Sequence, residues 1–462
     1  MIQKTIQELA RMVEATNDIS AYGDIEIRGV SINTRTLEKG NLFIPLKGER
    51  HDGHEFVADA FYKGAPLSLW QEDVPNPPEH VPVLVVKDTL KALQQLAKLY
   101  RDELDLKVCA VTGSNGKTTT KDILAGLLSL KYKVQKTQGN LNNHIGLPLT
   151  ILSLEKDTEV AVLEMGMSDF GEIDFLSRLA RPDAAIITNI GDAHLQDLGS
   201  REGICQAKME IVNGLAEDGL FVYPGEETLI RDRLEKMNVN FAIRTFGKGQ
   251  GNDLYPTSVT ITEAGSSFHI NQTEELFHLP VMGEYNVLNT LAAMLVAHEW
   301  GVPFARMNEA FTVLKLSEMR MELSSGLAGS QILNDAYNAS PTSMKAVLDL
   351  VSSLKGYPKK IVVLGDMLEL GPAEVEYHLE IGEYLNPDKI YQVYTFGRLG
   401  AYIAQGAEKK FGKERVFAFD DKQKLIEQLK KNLDANTFVL VKASRGMKLE
   451  EVVEALTVKD MA

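Results

Sequence analysis

The chain has 462 residues, of which 44% are hydrophobic and 24% charged, as in ordinary globular proteins. This length exceeds what one hydrophobic core supports and predicts about three domains. The chain has 64 acidic and 49 basic residues, which gives a net charge of −15. This charge argues against a surface that binds nucleic acid or anionic membranes in general. Any anionic ligand must therefore be held by local cations.

Cysteine usage and hydropathy indicate a reduced, cytoplasmic compartment. Cys109 and Cys205 have no CxxC or Cys/His spacing around them, which argues against a metal or redox site. No apolar run reaches membrane-spanning length, and residues 1–10 predict an amphipathic helix rather than a signal peptide. We expect a cytoplasmic monomer that uses neither nucleic acid nor a membrane.

Residues 1–104 form the first predicted domain. Its predicted strands and helices alternate, at 25–30, 41–46, 55–63, 81–86 and 89–104. Two loops between these elements carry hydroxyl groups and cations, at Ser31, Thr34, Arg35 and Lys47. Such residues suit a diphosphate or sugar ligand, but polar loops are often only solvated, so composition leaves both interpretations open.

The second predicted domain, residues 105–317, begins with a turn that is typical of phosphate binding. The turn lies between an apolar strand and a predicted helix, and it contains Gly113, Ser114, Asn115, Gly116, Lys117, Thr118 and Thr119. Backbone N–H groups and the positive helix end favour an anion, Lys117 adds charge, and the Thr118 hydroxyl can bind Mg²⁺. Val111 replaces the first glycine of the usual P-loop, so this is a shorter variant. Nucleotide binding is favoured over a purely structural turn.

Two further strands of this domain end in polar residues. The strand 160–164 ends in Glu164, which can reach a metal held by Thr118, because ligands gather at the carboxyl ends of parallel strands. A helix cap or a surface charge is the alternative for Glu164. The strand 184–190 leads to His194, a candidate for a second metal or the leaving phosphate, although a lone His is more often structural.

The last part of this domain offers weaker signals. By periodicity alone, Lys208 is a solvated residue on a helix. Residues 255–281 contain short alternating strands, which predict an antiparallel appendage. Asn286 and Asn289 share one face of the next helix, where amides can contact the edge of a purine, but capping is the alternative for Asn286.

Residues 318–462 predict a second, smaller doubly wound domain. Its strands are predicted at 331–335, 360–364, 390–394, 416–419 and 437–441. The fold class is therefore α/β with three domains: a small α/β N-terminal domain, a central P-loop ATPase-like parallel sheet with an antiparallel appendage, and a C-terminal Rossmann-like domain. Polar clusters follow strands on two of these domains, so we expect a site in the cleft between them.

These motifs, in this order, resemble the Mur ligases, the ATP-dependent amide-bond-forming enzymes of bacterial peptidoglycan precursor synthesis. The resemblance spans nearly the whole chain and rests on residues 113–118, 164–166, 188–194, 207–211, 286 with 289, 320–322 and 335–338. Residues 337–344 and 363–371 are most similar to the members that join D-alanyl-D-alanine to UDP-N-acetylmuramoyl-tripeptide. The Asp-Asn-Pro-Arg motif of the diaminopimelate-adding members is absent.

The resemblance implies ATP and Mg²⁺ as cofactors and assigns residues to them. Lys117 would hold the β- and γ-phosphates, with Thr118 and Glu164 on the first Mg²⁺. Lys208 would be carbamylated, and with His194 it would hold a second Mg²⁺.

The resemblance also implies contacts with the nucleotide and the substrates. Asn289 would contact adenine, Asp335 the ribose and Arg320 the γ-phosphate, and the expected catalytic set is Lys117, Lys208, His194 and Arg320. The implied substrate contacts are Ser31, Thr34, Arg35 and Lys47 for the UDP part, Asn142 and Asn143 for the muramoyl or peptide part, and Tyr337 and Asn338. Three residues depart from the family pattern, namely Asn33, Tyr285 and Met209.

Two alternatives stay open at this point. A ligase similar to the diaminopimelate-adding members or to folylpolyglutamate synthase would share the ATP site but add another amino acid. A non-catalytic nucleotide-binding partner subunit would keep the fold alone, and the intact set of Lys117, Glu164, His194, Lys208 and Arg320 argues against it.

Overall fold

The structure is a computed structural model that describes residues 1–49, 51–79, 81–192 and 194–458. In the first part of the chain the strands are β1 (Gln3–Thr5), β2 (Glu26–Arg28), β3 (Val30–Ser31), β4 (Leu42–Phe43), β5 (Leu67–Gln71) and β6 (Val83–Val86), and the helices are α1 (Ile6–Met12), α2 (Val57–Tyr62) and α3 (Thr89–Glu103). Strands β3 to β6 form a parallel sheet in sequence order, whereas β1 pairs antiparallel with β2.

This region differs from the sequence prediction in three places. The helix predicted for residues 1–10 begins only after Thr5, because Thr5 and Glu8 form a capping box with hydrogen bonds of 2.8 and 3.2 Å. The predicted strand 25–30 is divided at Gly29, whose φ of +76° lies in the left-handed region. Strand β5 is almost wholly buried, so it lacks the alternation by which a strand is predicted.

The central part contains a six-stranded parallel sheet in the order β12-β11-β10-β7-β9-β8. Its strands are β7 (Lys107–Thr112), β8 (Val134–Lys136), β9 (Val160–Glu164), β10 (Ala184–Ile187), β11 (Leu220–Pro224) and β12 (Ala242–Phe246). The helices around it are α4 (Lys117–Leu128), α5 (Gly146–Ser153), α6 (Glu172–Ala180), α7 (Leu195–Leu198), α8 (Arg201–Met209) and α9 (Thr228–Leu234). Side chains of β7 alternate between two cores: Ala110 packs toward the N-terminal region, and Val111 packs toward α4.

The predicted antiparallel appendage is confirmed. Strands β13 (Pro256–Thr262), β14 (Gly265–Ile270) and β15 (Thr273–Leu279) pair antiparallel in sequence order. Helices α10 (Glu284–Glu299) and α11 (Met307–Thr312) follow, and α10 packs on α4 beside the central sheet.

The last part is a second six-stranded sheet in the order β16-β17-β21-β18-β19-β20. Its strands are β16 (Glu322–Ser325), β17 (Gln331–Asn334), β18 (Lys359–Gly365), β19 (Gln392–Phe396), β20 (Val416–Phe419) and β21 (Thr437–Lys442). Its helices are α12 (Pro341–Ser353), α13 (Glu374–Tyr384), α14 (Gly400–Glu408), α15 (Lys422–Lys430) and α16 (Glu450–Leu456). The edge strand β16 is antiparallel and was absent from the sequence prediction, because its residues are largely exposed and polar. Leu333 and Ile332 pack into separate cores, so both faces of this sheet are covered.

The order of the central strands positions the site. Strand β7 lies between β9 and β10, so Thr112, Glu164 and Ile187 end neighbouring strands at one edge of the sheet. Ligands of open α/β sheets bind at such carboxyl ends. No helix in the described part of the chain is both long and apolar enough to cross a bilayer.

Candidate functional site

The turn between β7 and α4 can only be built with glycine at two positions. Gly113 has a φ of +151°, and a Cβ there would lie 1.9 Å from Thr188 Oγ1. Gly116 has a φ of +82°, and a Cβ there would lie 2.5 Å from Asn289 Oδ1. The backbone therefore passes close to its neighbours and leaves its N–H groups at the start of α4, as an anion site requires.

The loop after β10 holds this turn in shape. Asn189 accepts from Ser114 N through its backbone oxygen at 3.1 Å and from Asn115 N through Oδ1 at 3.0 Å. Gly191 N donates to Ser114 Oγ at 2.9 Å. These three hydrogen bonds hold the turn in shape before a ligand binds, which lowers the entropic cost of binding.

Lys117 folds back over the turn. Its Nζ donates to Gly113 O at 2.7 Å, and no acidic side chain forms a salt bridge with it among the described residues. Burial and the nearby charge of Arg320 lower the pKa of Lys117, and the charge of Glu164 opposes them. A phosphate here would give the ammonium the anionic partner that it lacks.

The two carboxylate oxygens of Glu164, at the end of β9, have different surroundings: Oε1 accepts a hydrogen bond, and within the described part of the chain Oε2 does not. Asn142 Nδ2 donates to Glu164 Oε1 at 2.8 Å. Oε2 is buried and has no hydrogen-bond partner among the described residues, and Lys121 Nζ is 3.9 Å away from it. An unpartnered buried carboxylate oxygen is a donor atom suited to a hard cation.

Arg320 reaches the P-loop helix from the other side of the cleft. One of its terminal nitrogens donates to Thr118 Oγ1 at 3.2 Å, and its guanidinium lies 4.0 Å from the centroid of the Tyr337 ring. Arg320 Nε is buried without a hydrogen-bond partner among the described residues. The stacking places a fixed cation next to the turn, with donors left for an anion.

Asp335 is held in place by Lys442, a residue for which the sequence predicts no individual role. Lys442 Nζ lies 2.6 Å from Asp335 Oδ2 and donates to Asn338 O at 2.9 Å. Lys442 ends β21, the strand that pairs with β17. Its position at a strand end is therefore the one feature of the sequence that indicates a place near the site. Asp335 Oδ1 lies 3.4 Å from Met321 N, its donor in a long hydrogen bond.

His194 faces a carboxylate of the C-terminal region. Its Nδ1 lies 3.0 Å from Glu369 Oε2, and both residues have a left-handed backbone, with φ of +63° and +65°. The nearby His194 ring lowers the pKa of Glu369. Glu369 belongs to the polar stretch after β18, for which the sequence predicts a place at the cleft but no individual role.

Lys208 is not the solvated residue that periodicity predicts. It is 2% exposed on α8, and burial, together with the charge of Lys117, lowers its pKa well below the ordinary value. A neutral amine is therefore favoured, and the neutral amine is the form that carbamylation needs.

The two asparagines of α10 lie beside the P-loop. Asn286 Nδ2 donates to Met282 O at 2.8 Å, which agrees with its structural alternative, whereas Asn289 lies against Gly116. Tyr285, one of the departures from the family pattern, is half-buried, with its hydroxyl 2.9 Å from Met321 Sδ. Burial raises the pKa of Tyr285 well above its ordinary value.

One cavity of about 940 Å³ joins the central and C-terminal candidates. Among the predicted residues it is lined by Ser114, Asn115, Gly116, Lys117, Thr118, Thr119, Asn142, Asn143, Glu164, His194, Asn289, Arg320, Asp335, Tyr337 and Asn338. Gly113 and Lys208 are not among the lining residues. Asn143 also has a structural task, because its Oδ1 accepts from Gly146 N at 2.8 Å at the start of α5.

The N-terminal candidates lie outside this lining. Ser31 is buried and donates to Asn33 O at 3.0 Å, and Lys47 Nζ is 2.9 Å from Asp73 Oδ1. Hydrogen bonds from Lys63 and from Thr34 lower the pKa of Asp59, and Arg35 is exposed. All four candidates therefore belong to the N-terminal part of the chain and not to the cavity.

Comparisons with known proteins agree along the whole chain. Family models described as "Mur ligase family, catalytic domain", "Mur ligase middle domain" and "Mur ligase, glutamate ligase domain" match residues 26–101, 111–297 and 319–445. The UDP-N-acetylmuramoyl-tripeptide–D-alanyl-D-alanine ligase of Bacillus subtilis is 51% identical over 456 residues, or 99% of each chain.

Solved structures show the same likeness. A crystal structure of MurF from Acinetobacter baumannii has a TM-score of 0.87 and 30% identity over 98% of both chains. MurF ligase from Thermotoga maritima in complex with ADP has a TM-score of 0.80 and 31% identity, over 93% of this chain and 96% of that one. The three-domain α/β architecture predicted from the sequence is confirmed. The chain belongs to the Mur ligase family.

Proposed function

We propose that the chain is an ATP-dependent, ADP-forming ligase that joins D-alanyl-D-alanine to UDP-N-acetylmuramoyl-tripeptide in peptidoglycan precursor synthesis. The observation that carries the proposal is the contact of Arg320 with Thr118 Oγ1, which brings a cation of the C-terminal domain to the P-loop inside one cavity. The full-length likeness to ligases of that name supports the choice of substrates.

The chemistry requires an activated carboxylate. A carboxylate is a poor acyl donor, so its oxygen first takes the γ-phosphoryl group of ATP, which releases ADP and leaves an acyl phosphate. The amine of D-alanyl-D-alanine then attacks the acyl carbon, and the tetrahedral intermediate expels phosphate and loses a proton. Lys117 and Arg320 supply positive charge that stabilises the negative charge of the phosphoryl group while it is transferred.

The residues around Glu164 fit Mg²⁺. Glu164 Oε2 is buried and makes no hydrogen bond with the described residues, and Thr118 contributes a hydroxyl at the first turn of α4. Mg²⁺ is commonly held by one or two carboxylates plus substrate phosphates. Lys208, once carbamylated, and His194 would hold a second ion. Bound Mg²⁺ would neutralise charge on the phosphates during transfer.

The nucleotide and the UDP substrate are proposed to occupy different parts of the chain. Asn289 would contact adenine, and Asp335, kept in place by Lys442, would contact the ribose. Ser31, Thr34, Arg35 and Lys47 would bind the UDP part, which lies at the opposite end of the substrate from the reacting carboxylate. Asn142, Asn143, Tyr337 and Asn338 would contact the portion of substrate nearer to the reaction.

These proposed ligand positions assign a role to each domain. We propose that residues 1–104 bind the UDP substrate, residues 105–317 bind ATP and residues 318–462 close over both. Closure would exclude water and protect the acyl phosphate from hydrolysis. The enzyme is proposed to be a cytoplasmic monomer, and its two cysteines, Cys109 and Cys205, are both buried and free.

Phosphate release measured with a panel of acceptors tests this function. With ATP and UDP-N-acetylmuramoyl-tripeptide present, D-alanyl-D-alanine should stimulate release far more than diaminopimelate, glutamate or D-alanine does. Preference for one of the single amino acids would favour a ligase of another specificity. Slow release that no acceptor changes would favour a nucleotide-binding subunit without ligase activity.

A further inference from the structure

A segment that joins the central and C-terminal domains lies along one face of the P-loop helix α4. This crossing segment, residues 313–321, connects α11 to β16 and has no regular secondary structure. A Cβ at Gly126 would lie 3.6 Å from Leu314 Cδ1, Asp122 contacts Ser317, and Thr118 contacts Arg320.

The spacing of these contacts shows in which direction the crossing segment runs along α4. Positions 118, 122 and 126 are four residues apart, so they lie on one face of the helix, about one turn from each other. The partners at 314, 317 and 320 follow in the opposite direction along the chain. The crossing segment is therefore laid antiparallel on the helix that carries the P-loop, and Arg320 is its last contact.

Asp122 makes the strongest of these contacts. Its Oδ2 accepts from Ser317 N and from Ser317 Oγ, both at 2.8 Å, and Asp122 itself is 2% exposed. Hydrogen bonds to an ionised acceptor are roughly twice as strong as neutral ones, and a carboxylate this deeply buried must be satisfied. Ser317 is thus tied to α4 by both its backbone and its side chain.

Two lysines hold the Asp122 carboxylate in the orientation that this contact needs. Lys136 Nζ lies 2.5 Å and Lys121 Nζ 3.4 Å from Asp122 Oδ1, which leaves Oδ2 for Ser317. Burial opposes ionisation, but the charge of Lys121 and the hydrogen bonds from Lys136 and Ser317 keep the pKa of Asp122 below its usual range. Lys121 is also 3.9 Å from Glu164 Oε2, so the cluster reaches the opposite side of the P-loop.

We propose that Asp122 is a positioning residue for ligation: by holding Ser317 on α4, it sets the place of Arg320 relative to the P-loop. Arg320 follows Ser317 by three residues and meets α4 one turn before Asp122. If Ser317 is released, Arg320 keeps its charge but loses its fixed approach to Thr118. Misplacement of a group that acts on the transferring phosphoryl group lowers kcat, because that interaction is made in the transition state.

Ser317→Ala is the informative variant, because it removes one donor and leaves the buried charges balanced. We expect kcat to fall by about five- to tenfold, as for loss of one ordinary hydrogen bond, because the backbone N–H of Ser317 still bonds to Asp122, and we expect the KM for ATP to change less than twofold. Affinity for ADP, which lacks the γ-phosphate, should stay at the wild-type value. Ser317→Thr keeps the hydroxyl and should recover most of kcat.

A matched control and a double variant separate positioning from general damage. Thr312→Ala removes a hydroxyl at the end of α11 whose one hydrogen bond to the described residues goes to Glu309 O, and this variant should turn over like wild type. If Ser317 acts through Arg320, adding Ser317→Ala to Arg320→Ala should change the residual kcat by less than about twofold. Asp122→Asn should resemble or exceed Ser317→Ala, and circular dichroism should show whether that variant folds.

The inference rests on the proposed ligase activity, but the two fail differently. An inactive wild-type chain would overturn the ligase activity. An active wild type matched in kcat by Ser317→Ala would overturn the positioning role alone. Equal fold-losses from Ser317→Ala in the wild-type and Arg320→Ala backgrounds would also overturn it, as would a loss confined to ADP affinity.

Discussion

His194 Nδ1 of the central domain lies 3.0 Å from Glu369 Oε2 of the C-terminal domain, at the edge of the shared cavity. Thr342 Oγ1 donates to Asp192 Oδ2 at 2.8 Å in the same region, and Ser340 Oγ lies 3.3 Å from Asn115 Oδ1. The structure thus joins the two domains by polar contacts, which can form and break as the cleft closes and opens.

The Glu369 contact makes compactness depend on pH. The nearby ring of His194 lowers the pKa of Glu369 below its ordinary value of 4.5. Its contribution to the closed form is therefore fully present above that value and is lost as pH falls through the lowered pKa. Because Glu369 is largely exposed, we expect only about 0.2–1 kcal/mol.

Small-angle scattering of Glu369→Gln across this pH range checks the expectation. At neutral pH the variant should be slightly more extended than wild type, and the difference should disappear in acid. Glu376→Gln changes an exposed glutamate of α13 and serves as the control. An equal difference at every pH would show that the charge of Glu369 does not matter.

Lys117→Ala should abolish ligation and leave the fold intact. Lys117 lies at the loop end of α4, where its removal leaves no core cavity, but the variant loses the ammonium that we propose to face the phosphates. Turnover should fall by about 10²–10³-fold, as for loss of one group that stabilises the transition state electrostatically. Lys98→Ala, at an exposed position of α3, controls for loss of a surface charge. Turnover of Lys117→Ala within a few-fold of wild type would refute the P-loop assignment.

Lys208 should be replaceable by an added carboxylate. A charged lysine would repel Mg²⁺, whereas a carbamylated one supplies a hard oxygen ligand. Lys208→Ala should therefore lose most activity and regain part of it with acetate or formate. Lys208→Arg should stay inactive, because a guanidinium keeps the charge and cannot be carbamylated. Near-normal activity of Lys208→Arg would eliminate the second-metal proposal.

The Asp335–Lys442 pair should matter for stability and for nucleotide binding separately. Lys442 is 3% exposed, so Lys442→Met leaves a mostly buried carboxylate without its partner and should cost about 3 kcal/mol. Asp335→Ala combined with Lys442→Met should recover part of that stability but not the affinity for ADP. Denaturant unfolding and calorimetric titration measure the two effects. Recovery of ADP affinity in the double variant would argue against a role for Asp335 at the ribose.

Local patterns predicted the parts of the site that lie within one segment. The strand before Gly113 and the helix after it mark the phosphate turn, and the strand before Glu164 puts that carboxylate at the same sheet edge. The parallel register of β7 with β9 agrees with that expectation. Such signals depend on a few neighbouring residues, so one sequence is enough to detect them.

Pairings between distant segments could not be predicted in this way. Lys442 meets Asp335 across 107 residues, and Arg320 meets Thr118 across 202. Lys208 follows the periodicity of a solvated residue, yet the tertiary fold buries it. Each of these depends on which elements become neighbours, and neither periodicity nor spacing contains that information.

Mass spectrometry of the product tests the central claim most directly. Wild-type chain would be incubated with ATP, Mg²⁺, UDP-N-acetylmuramoyl-tripeptide and D-alanyl-D-alanine. We expect a single new species, equal in mass to the two substrates joined with loss of one water, and one ADP and one phosphate for each molecule formed. Consumption of ATP without that species, or the same ATP consumption when D-alanyl-D-alanine is omitted, would contradict it.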